Sequence, residues 1–499
     1  MRATARIVLL LACACSGAQA SSVQGPTAPR AAADLIDVSA QRIWKGAGRN
    51  LSYVVEAREI GVGDEGQGPT GTLFSFAYLR TDTPHPRTRP VIFFFNGGPG
   101  AATALLHLSG LGPKRLPALP HGQWAVDGLE DSPATLLDSA DLVFVDAMGT
   151  GYSHLLPGGK PEDYYGIDAD ARSLAEFIGR WLDQHGRWTS PKYIMGESYG
   201  SFRAPVVANA LTGGISLGHW HGIQIDGLIL VGTVLDLTQI DGNPGNDLPF
   251  VLRLPSMAAI AWHYHKAGAA GESQEAFMQR ARDFANDVYL PALNRGDALS
   301  PERKAALAKQ VAEFTGLSAE LVLQHNLRVG NEDFTHAVLA DQGLIVSPYD
   351  GRDTLPVRTT QGFSSMADPG SAGASSQLSV ALHDYIHRDL GIDTTRSYDE
   401  VHYAVSGQWH WEGQAAGAYW NSTPYLTDLM AQNPRLRVFV IGGCYDLVTP
   451  VFGAERSLLH AGLPRDRVKV HYYQGGHAAY VGEDNLKQIS RDIHAFIEK

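Results

Sequence analysis

The sequence contains very few cysteines. There are three in 499 residues, and two of them, Cys13 and Cys15, lie within the first twenty residues. If that segment is removed, Cys444 remains alone and cannot form an intramolecular disulfide. A protein without disulfides depends on a large hydrophobic core for its stability, and a chain of this length can supply one.

Positive charge and long apolar runs are also scarce. Lys and Arg number 40 against 52 Asp and Glu, so the formal net charge is −12. This excess of negative charge argues against a general nucleic-acid surface. After the N-terminal segment, we find no run of about 18 or more apolar residues, so we expect no stable membrane insertion. The sequence does not indicate an oligomeric state.

Metal-binding patterns are weak. Three cysteines do not form a zinc framework. The pairs His219/His221 and His263/His265 are the best remaining candidates, but neither has a third ligand at a recognisable spacing. We therefore expect no metal and no other cofactor.

The N-terminal residues 1–20 are typical of a secretory signal peptide. Arg2 and Arg6 precede an apolar run over residues 7–15, and Ala18-Gln19-Ala20 resembles a cleavage site. We expect a mature chain that starts near Ser21 and is secreted or periplasmic. Residues 10–13 form an imperfect lipid-attachment pattern, so a lipoprotein is the less favoured alternative.

Apolar segments alternate with amphipathic ones along the chain. Residues 168–185 and 202–211 have helical periodicity. Several apolar runs end abruptly in glycine-rich loops, as buried parallel strands do. The alternation predicts an α/β fold with a mainly parallel central sheet and helices on both faces. The predicted strands are residues 51–55, 73–79, 89–95, 141–146, 192–195, 228–232, 437–442 and 468–473.

One long interval interrupts this alternation. Residues 237–428 carry amphipathic stretches, at 273–289 and 300–314, and a Gly/Ser-rich segment near residue 370. We interpret the interval as a large, mainly helical cap inserted into the core. The core itself would then consist of residues 40–236 and 429–499.

The pentapeptide Gly196-Glu197-Ser198-Tyr199-Gly200 lies between a predicted strand and a predicted helix. A Gly-x-Ser-x-Gly motif alone is weak, but this context is the one that a nucleophile elbow requires. Glycines on both sides let strand and helix approach closely while the serine occupies a strained turn. We therefore predict that Ser198 is a nucleophile; an ordinary strand-to-helix turn is the alternative.

A serine hydroxyl needs a histidine base that a carboxylate orients. In this fold class both follow the serine along the chain. Asp446 follows the strand at 437–442, and His477 follows the glycine pair after the strand at 468–473. His471 is the rival base, but it lies within the strand and would point sideways.

An oxyanion hole needs two preorganised backbone N–H groups, one from the residue after the nucleophile and one from an early loop. Tyr199 and Gly98 meet that description. The alternative is that residues 96–100 form only a tight turn.

Five motifs, in the order in which they occur along the chain, together resemble the serine carboxypeptidase family of α/β-hydrolases. We expect the protein to be a bacterial-type member of that family. The motifs extend over most of the chain, with an insertion at the family's cap position, and occur at residues 96–100, 145–153, 196–200, 443–446 and 476–477.

The resemblance implies a serine-type carboxypeptidase that removes C-terminal residues from peptides through an acyl-enzyme. It implies the triad Ser198, Asp446 and His477, with oxyanion donors at Gly98 and Tyr199.

In that family the substrate's terminal carboxylate is bound by residues that correspond here to Asn96, Gly97 and Glu197. Two carboxyl groups can share one proton when the surroundings raise a pKa, so such recognition favours acidic pH. A structural hydrogen bond that holds the elbow is the alternative role for Glu197.

One departure from the family pattern weakens the carboxylate assignment. Well-known carboxypeptidases of the family use a second glutamate where this chain has Gly110. His107 or Arg203 could substitute for it, or Arg203 could pair with Glu197. An esterase or acyltransferase with the same triad is therefore the main alternative, and a non-catalytic secreted binding protein is a remote one.

Overall fold

A computed structural model of the protein describes most of the chain. The described residues are 35–63, 68–119, 123–124, 128–213, 222–240, 242, 244–357, 359–360, 363–364, 374–411 and 420–498. The predicted signal peptide, its two cysteines and the pair His219/His221 lie outside the described residues.

A ten-stranded sheet forms the centre of the molecule. Its strands are β1 (Asp37–Gly46), β2 (Arg49–Val62), β3 (Gly71–Arg80), β4 (Val91–Phe95), β5 (Asp141–Val145), β6 (His154–Leu155), β7 (Lys192–Glu197), β8 (Gly227–Val231), β9 (Arg437–Gly443) and β10 (Val468–Tyr473). Among the described residues, four two-stranded ribbons lie outside this sheet: Lys114–Arg115 with Glu130–Asp131, Ala118–Leu119 with Gln123–Trp124, Leu344–Val346 with Thr354–Pro356, and Thr359–Thr360 with Phe363–Ser364.

The strand order across the sheet is β1-β2-β3-β5-β4-β7-β8-β9-β10, with β6 beside β3. The pairs β1–β2, β2–β3, β3–β5 and β3–β6 are antiparallel. The pairs β5–β4, β4–β7, β7–β8, β8–β9 and β9–β10 are parallel. The parallel strands β4, β5, β7 and β8 are buried throughout, which explains why they appear as continuous apolar runs in the sequence. The predicted fold class is confirmed.

Helices cover both faces of the sheet. Alternate side chains of β4 belong to different cores. Phe93 lies in the core that includes the helices Ile167–His185 and Tyr199–Thr212, whereas Phe94 lies in the core that includes the helix Glu483–Ile497. The described α-helices are α1 (Ala104–Leu108), α2 (Ile167–His185), α3 (Tyr199–Thr212), α4 (Leu248–His263), α5 (Gln274–Phe284), α6 (Leu290–Leu293), α7 (Pro301–Thr315), α8 (Ala319–Gln324), α9 (Asn331–Ala337), α10 (Ala374–Asp384), α11 (Tyr403–Gly407), α12 (Thr423–Gln432), α13 (Val451–His460) and α14 (Glu483–Ile497).

Helices α4 to α9 share a third core, which also includes residues that follow β9. Cys444, Tyr445 and Leu447 pack into this core. Cys444 is a free, buried thiol, and burial raises its pKa to about 11. The helical cluster therefore lies over the loop that carries Asp446.

A segment at residues 396–411, here called the crossing segment, runs over the loops at the carboxyl end of the sheet. The N–H of Ala102 donates to the carbonyl of Glu400 at 2.9 Å, and the N–H of His402 donates to the carbonyl of Gly100 at 2.7 Å. The Ser406 hydroxyl donates to the carbonyl of Pro99. This part of the predicted cap thus contacts the core directly, while the boundaries at residues 237 and 428 stay a prediction.

Among the helices in the described ranges, none is long and apolar enough to cross a membrane.

Candidate active site

Ser198 lies at the sharp turn between β7 and α3. Its φ of 57° is in the left-handed region, which a residue other than glycine rarely occupies. The Ser198 N–H donates to the carbonyl of Val231 on β8 at 2.9 Å. Strain of this kind persists only where the surroundings enforce it, and here it holds the serine at the carboxyl end of the sheet.

Gly196 and Gly200, two residues before and after Ser198, lie so close to neighbouring backbone that a side chain would clash. A Cβ on Gly196 would lie 2.0 Å from the carbonyl oxygen of Gly200, and one on Gly200 would lie 2.5 Å from the carbonyl oxygen of Phe95. Strand β7, helix α3 and the loop after β4 therefore approach closely enough to exclude any side chain at these two positions.

Asp446 and His477 form a buried pair on the loops after β9 and β10. The His477 Nδ1 lies 2.8 Å from Asp446 Oδ2. The Thr449 hydroxyl donates to the same carboxylate oxygen at 2.6 Å, and the backbone N–H groups of Val448 and Thr449 donate to Oδ1. These bonds fix the carboxylate and hold its charge beside the imidazole.

The loop after β8 links the two halves of the site. Val231 accepts the hydrogen bond from Ser198, and a Cβ on the next residue, Gly232, would lie 3.0 to 3.1 Å from two atoms of the His477 ring. Within the described part of the chain, no hydrogen bond joins the Ser198 hydroxyl to that ring, and such bonds often tighten only when substrate binds. His471 lies elsewhere: it stacks on Tyr473 and is 3.5 Å from Asp492.

The charges around His477 favour its protonated form. Burial, the largest influence, lowers the pKa of His477, but the negative charges of Asp446 and Glu197 outweigh it. The pKa of this imidazole is therefore raised, as expected for a base that must accept a proton during a reaction.

The loop after β4 packs against the elbow. A Cβ on Gly97 would lie 2.7 Å from Ser198 Cβ and 2.8 Å from the backbone nitrogen of Tyr199. Gly98 has a φ of 103°. Among the described residues, the amides of Gly98 and Tyr199 donate no backbone hydrogen bond in turns or loops. Both predicted oxyanion donors thus belong to backbone segments that meet at Ser198.

Arg203 does not pair with Glu197. Its Nε donates to Asp170 Oδ2 at 2.6 Å, and its Nη1 donates to the carbonyl of Asn96 at 2.5 Å. The guanidinium also lies 5.1 Å from the centre of the Tyr199 ring. The suggested Arg203–Glu197 pair is therefore wrong, because Asp170 on the neighbouring helix α2 is the partner. Arg203 supports the Asn96 backbone, and the side-chain Oδ1 of Asn96 is buried without a hydrogen-bond partner.

His107 lies in the hydrophobic core. Its Nε2 is 2.5 Å from the Tyr78 hydroxyl, and its ring stacks on Phe76. Burial lowers the pKa of His107 to about 3, so the ring is neutral at ordinary pH. A neutral, enclosed imidazole does not supply positive charge for a substrate carboxylate.

Gly110 has a backbone conformation that favours glycine and lies against the Leu486 side chain. Its φ is 126°, and a Cβ there would lie 2.4 Å from a methyl group of Leu486 on α14. A glutamate at this position would need a strained backbone and a displaced Leu486 side chain, so the glycine is consistent with the packing of this chain.

Glu197 is buried beside the triad and accepts a hydrogen bond from the Tyr480 hydroxyl. Burial is the main reason that the pKa of Glu197 is raised, and Asp446 adds to the effect, while His477 and Tyr480 oppose it. The protonated form of this carboxyl group is therefore favoured more than in an exposed glutamate.

Sequence reasoning missed three residues of the site: Tyr480, Thr449 and Tyr349. The carbonyl of Tyr349 accepts a hydrogen bond from the backbone N–H of His477 at 2.6 Å, and the side-chain rings of the two residues are in edge contact. Thr449 and Tyr480 each lie three residues from a predicted triad member, a spacing that could have drawn attention to them. Tyr349 comes from the predicted cap, and no local signal points to it.

Metal-binding clusters are absent from the part of the chain that the structure describes. No group of three or more His, Cys, Asp or Glu side chains there could hold an ion.

The sheet topology and the sharp strand-to-helix turn at Ser198 are those of the α/β-hydrolase fold. Residues 68–489 match the profile of the family described as serine carboxypeptidase. The chain belongs to the serine carboxypeptidase family.

The chain is also similar to individual members of that family. It is 26% identical over 186 residues to serine carboxypeptidase-like 9 of Arabidopsis thaliana, a stretch that covers 36% of this chain and 40% of that protein. A second relative from the same plant, serine carboxypeptidase-like 2, is 26% identical over 208 residues, which cover 40% of this chain and 43% of that protein. The matched stretches thus cover about two fifths of these relatives.

The structure resembles that of Kex1Δp, a prohormone-processing carboxypeptidase from Saccharomyces cerevisiae. The TM-score is 0.57, and the alignment covers 89% of this chain and 91% of that one, at 15% identity. At that identity the likeness concerns the fold.

Proposed function

We propose that the protein is an exported serine carboxypeptidase that removes C-terminal residues from peptides. The observation that carries the proposal is the position of the strained Ser198 turn relative to the buried His477–Asp446 pair. The loop after β8 touches both, because Val231 accepts a hydrogen bond from Ser198 and Gly232 lies next to the His477 ring. Membership of the serine carboxypeptidase family supports the same activity. Export rests on the signal-like residues 1–20.

In the proposed reaction, His477 takes the proton from the Ser198 hydroxyl as the oxygen attacks the scissile carbonyl carbon. Asp446 holds Nδ1–H, so that Nε2 is the proton acceptor. The amides of Gly98 and Tyr199 stabilise the oxyanion. His477 then protonates the leaving amine, which leaves an acyl-enzyme, and afterwards activates the water that hydrolyses it.

The terminal carboxylate of the substrate would be bound beside the elbow by Asn96, Gly97 and Glu197. A protonated Glu197 can donate a hydrogen bond to that carboxylate, whereas an ionised one repels it. The raised pKa of Glu197 supports this role because it extends the protonated state toward neutral pH.

An esterase or acyltransferase is the second candidate. The observation that favours it is Gly110, where the chain has no second carboxyl group and the Leu486 side chain occupies the space next to the glycine. A site with only one such group would bind a terminal carboxylate less strongly, and the same triad could then serve other acyl donors.

The experiment that tests the proposal compares N-blocked dipeptides that carry either a free or an amidated C-terminus, at acidic and neutral pH. We expect the free form to be cleaved with the higher kcat/KM, most clearly at acidic pH. Ser198→Ala serves as the inactive control. Equal cleavage of both forms, or cleavage of esters alone, would contradict the carboxypeptidase assignment.

A further inference from the structure

Tyr480 is hydrogen-bonded to Glu197, the residue whose carboxyl group is proposed to bind the substrate. The residue lies three positions after His477, and both it and Glu197 are almost completely buried. Its hydroxyl donates to Oε2 of Glu197. No part of the proposed acyl-transfer reaction requires this contact, so its role has to be found in the carboxyl group that it touches.

We propose that Tyr480 is a specificity-determining positioning residue, which sets the orientation and protonation of Glu197 and thereby the pH range over which terminal carboxylates are recognised. This inference rests on the proposed function. Because Tyr480 occupies Oε2, the other oxygen of Glu197 is left to meet the substrate.

The hydrogen bond has a defined direction. Burial raises the pKa of the Tyr480 hydroxyl well above its ordinary value, so the group is neutral and can only donate to an ionised Glu197. Donation to a carboxylate stabilises its charged form and lowers its pKa. Tyr480 therefore limits the rise in pKa that burial imposes on Glu197.

Other groups also act on Glu197. His477 lowers its pKa and Asp446 raises it, and both belong to the proposed triad. Tyr480 is the group that can be changed without removing a triad member. Ser109, which directly precedes Gly110 and donates to the carbonyl of Leu106 at 3.3 Å, also acts on Tyr480: it lowers the pKa of the Tyr480 hydroxyl and so strengthens that hydroxyl as a donor.

The test uses Tyr480→Phe, which removes the hydroxyl and keeps the ring. Two substrates that form the same acyl-enzyme are compared. One is an N-blocked dipeptide with a free C-terminal carboxylate, and the other is the methyl ester of the same N-blocked amino acid, whose leaving group has no carboxylate. The ratio of their kcat/KM values reports carboxylate recognition, since the titration of His477 affects both. This ratio should fall as pH rises through the pKa of Glu197.

In Tyr480→Phe we expect the midpoint of that fall to move to higher pH by about one unit, since a hydrogen bond to a charged group has a free energy comparable to one pKa unit. Tyr473→Phe is the matched control, because Tyr473 is also buried and donates to a carboxylate, Asp492, at 2.7 Å outside the site. Its midpoint should not move. An unchanged or lower midpoint in Tyr480→Phe would overturn the inference.

Two further measurements keep the outcome decisive. If Tyr480→Phe does not fold, Ser109→Ala should move the midpoint in the same direction by a smaller amount, because it weakens the donor without removing it; no movement would overturn the inference. If the unmodified enzyme shows no preference for the free carboxylate at any pH, the proposed function itself fails. A preference that is unaffected in both variants refutes only the role of Tyr480.

Discussion

At the scale of single residues, the proposed site contains ionisable side chains that are buried next to one another. Asp446, Glu197 and His477 lie within one enclosed site, where electrostatic interactions are stronger than in water. Against the effect of burial, Asp446 raises the pKa of the imidazole through its charge and its hydrogen bond, and Glu197 adds to this when it is ionised. A base with a raised pKa stays protonated, and hence inactive, up to a higher pH, so activity should be lost as pH falls through that pKa.

Asp446→Asn tests this electrostatic arrangement. We expect kcat/KM to fall on the order of 10⁴-fold, because the imidazole loses the carboxylate that sets its tautomer. The remaining activity should have its acidic limb at lower pH, since the pKa of His477 falls. A pH–rate profile of an ester substrate measures both effects. Asp492→Asn, outside the site, should leave the profile unchanged, and the account is contradicted if Asp446→Asn does the same.

Gly196→Ala tests whether close packing at the elbow is obligatory. The added methyl group would lie 2.0 Å from the carbonyl oxygen of Gly200, so we expect a loss of about 3 kcal/mol or more in the free energy of unfolding. Gly179→Ala, on helix α2, is the matched control: its Cβ would meet nothing closer than 3.7 Å, and it should stabilise the protein by about 0.5–1 kcal/mol. Urea unfolding distinguishes them, and similar midpoints would refute the packing argument.

At the scale of elements, the crossing segment connects the sheet to the loops around Ser198. Arg396, at its start, makes two hydrogen bonds to the buried Glu59 on β2, at 2.7 and 3.0 Å. Burial raises the pKa of Glu59, but hydrogen bonds from His154, Arg396 and the Ile36 N–H outweigh it and lower the pKa to about 2. The stabilisation is thus complete above the ordinary glutamate pKa and is lost as pH falls toward 2.

Arg396→Met should therefore destabilise the folded protein by about 3–5 kcal/mol, because it leaves the buried Glu59 without its charged partner. Activity should fall as well, since the crossing segment contacts Pro99 and Gly100. Arg388→Met is the control: Arg388 pairs with Asp384 on the surface, and its loss should change stability by no more than about 0.5 kcal/mol. Thermal unfolding compares the two, and equal effects would show that the Glu59 pair does not hold the segment.

The elements themselves were largely predictable from the sequence. Continuous apolar runs identified the parallel strands, because strands covered on both faces have no polar side. Two side-chain pairs of the candidate site, Asp446–His477 and Glu197–Tyr480, differ in how well the sequence predicts them. The first follows from the chain order that this chemistry imposes, whereas the second depends on how the loop after β10 folds back on β7. Long-range contacts of that kind leave no periodic signal, and the same holds for Arg203 with Asp170.

At the scale of the whole molecule, the chain combines an α/β-hydrolase sheet with a helical cluster that covers the loop of the proposed triad member Asp446. Cys444 and Tyr445 pack into this cluster directly before Asp446. Tyr349 approaches from the same region and contacts His477. Residues of the predicted insertion at 237–428 therefore pack against the loop that carries Asp446 and also contact His477. The boundaries of this insertion as a cap stay a prediction. Export directed by residues 1–20 also stays a prediction.

The most direct test of the central claim is the site of reaction with a fluorophosphonate probe. After labelling of the folded protein, peptide mass spectrometry should find one phosphonylated residue, Ser198. Labelling should disappear in Ser198→Ala and become much slower in Asp446→Asn, because the hydroxyl needs an oriented imidazole to react. A folded protein that hydrolyses its substrate without labelling at Ser198, or that is labelled at another serine, would contradict the account.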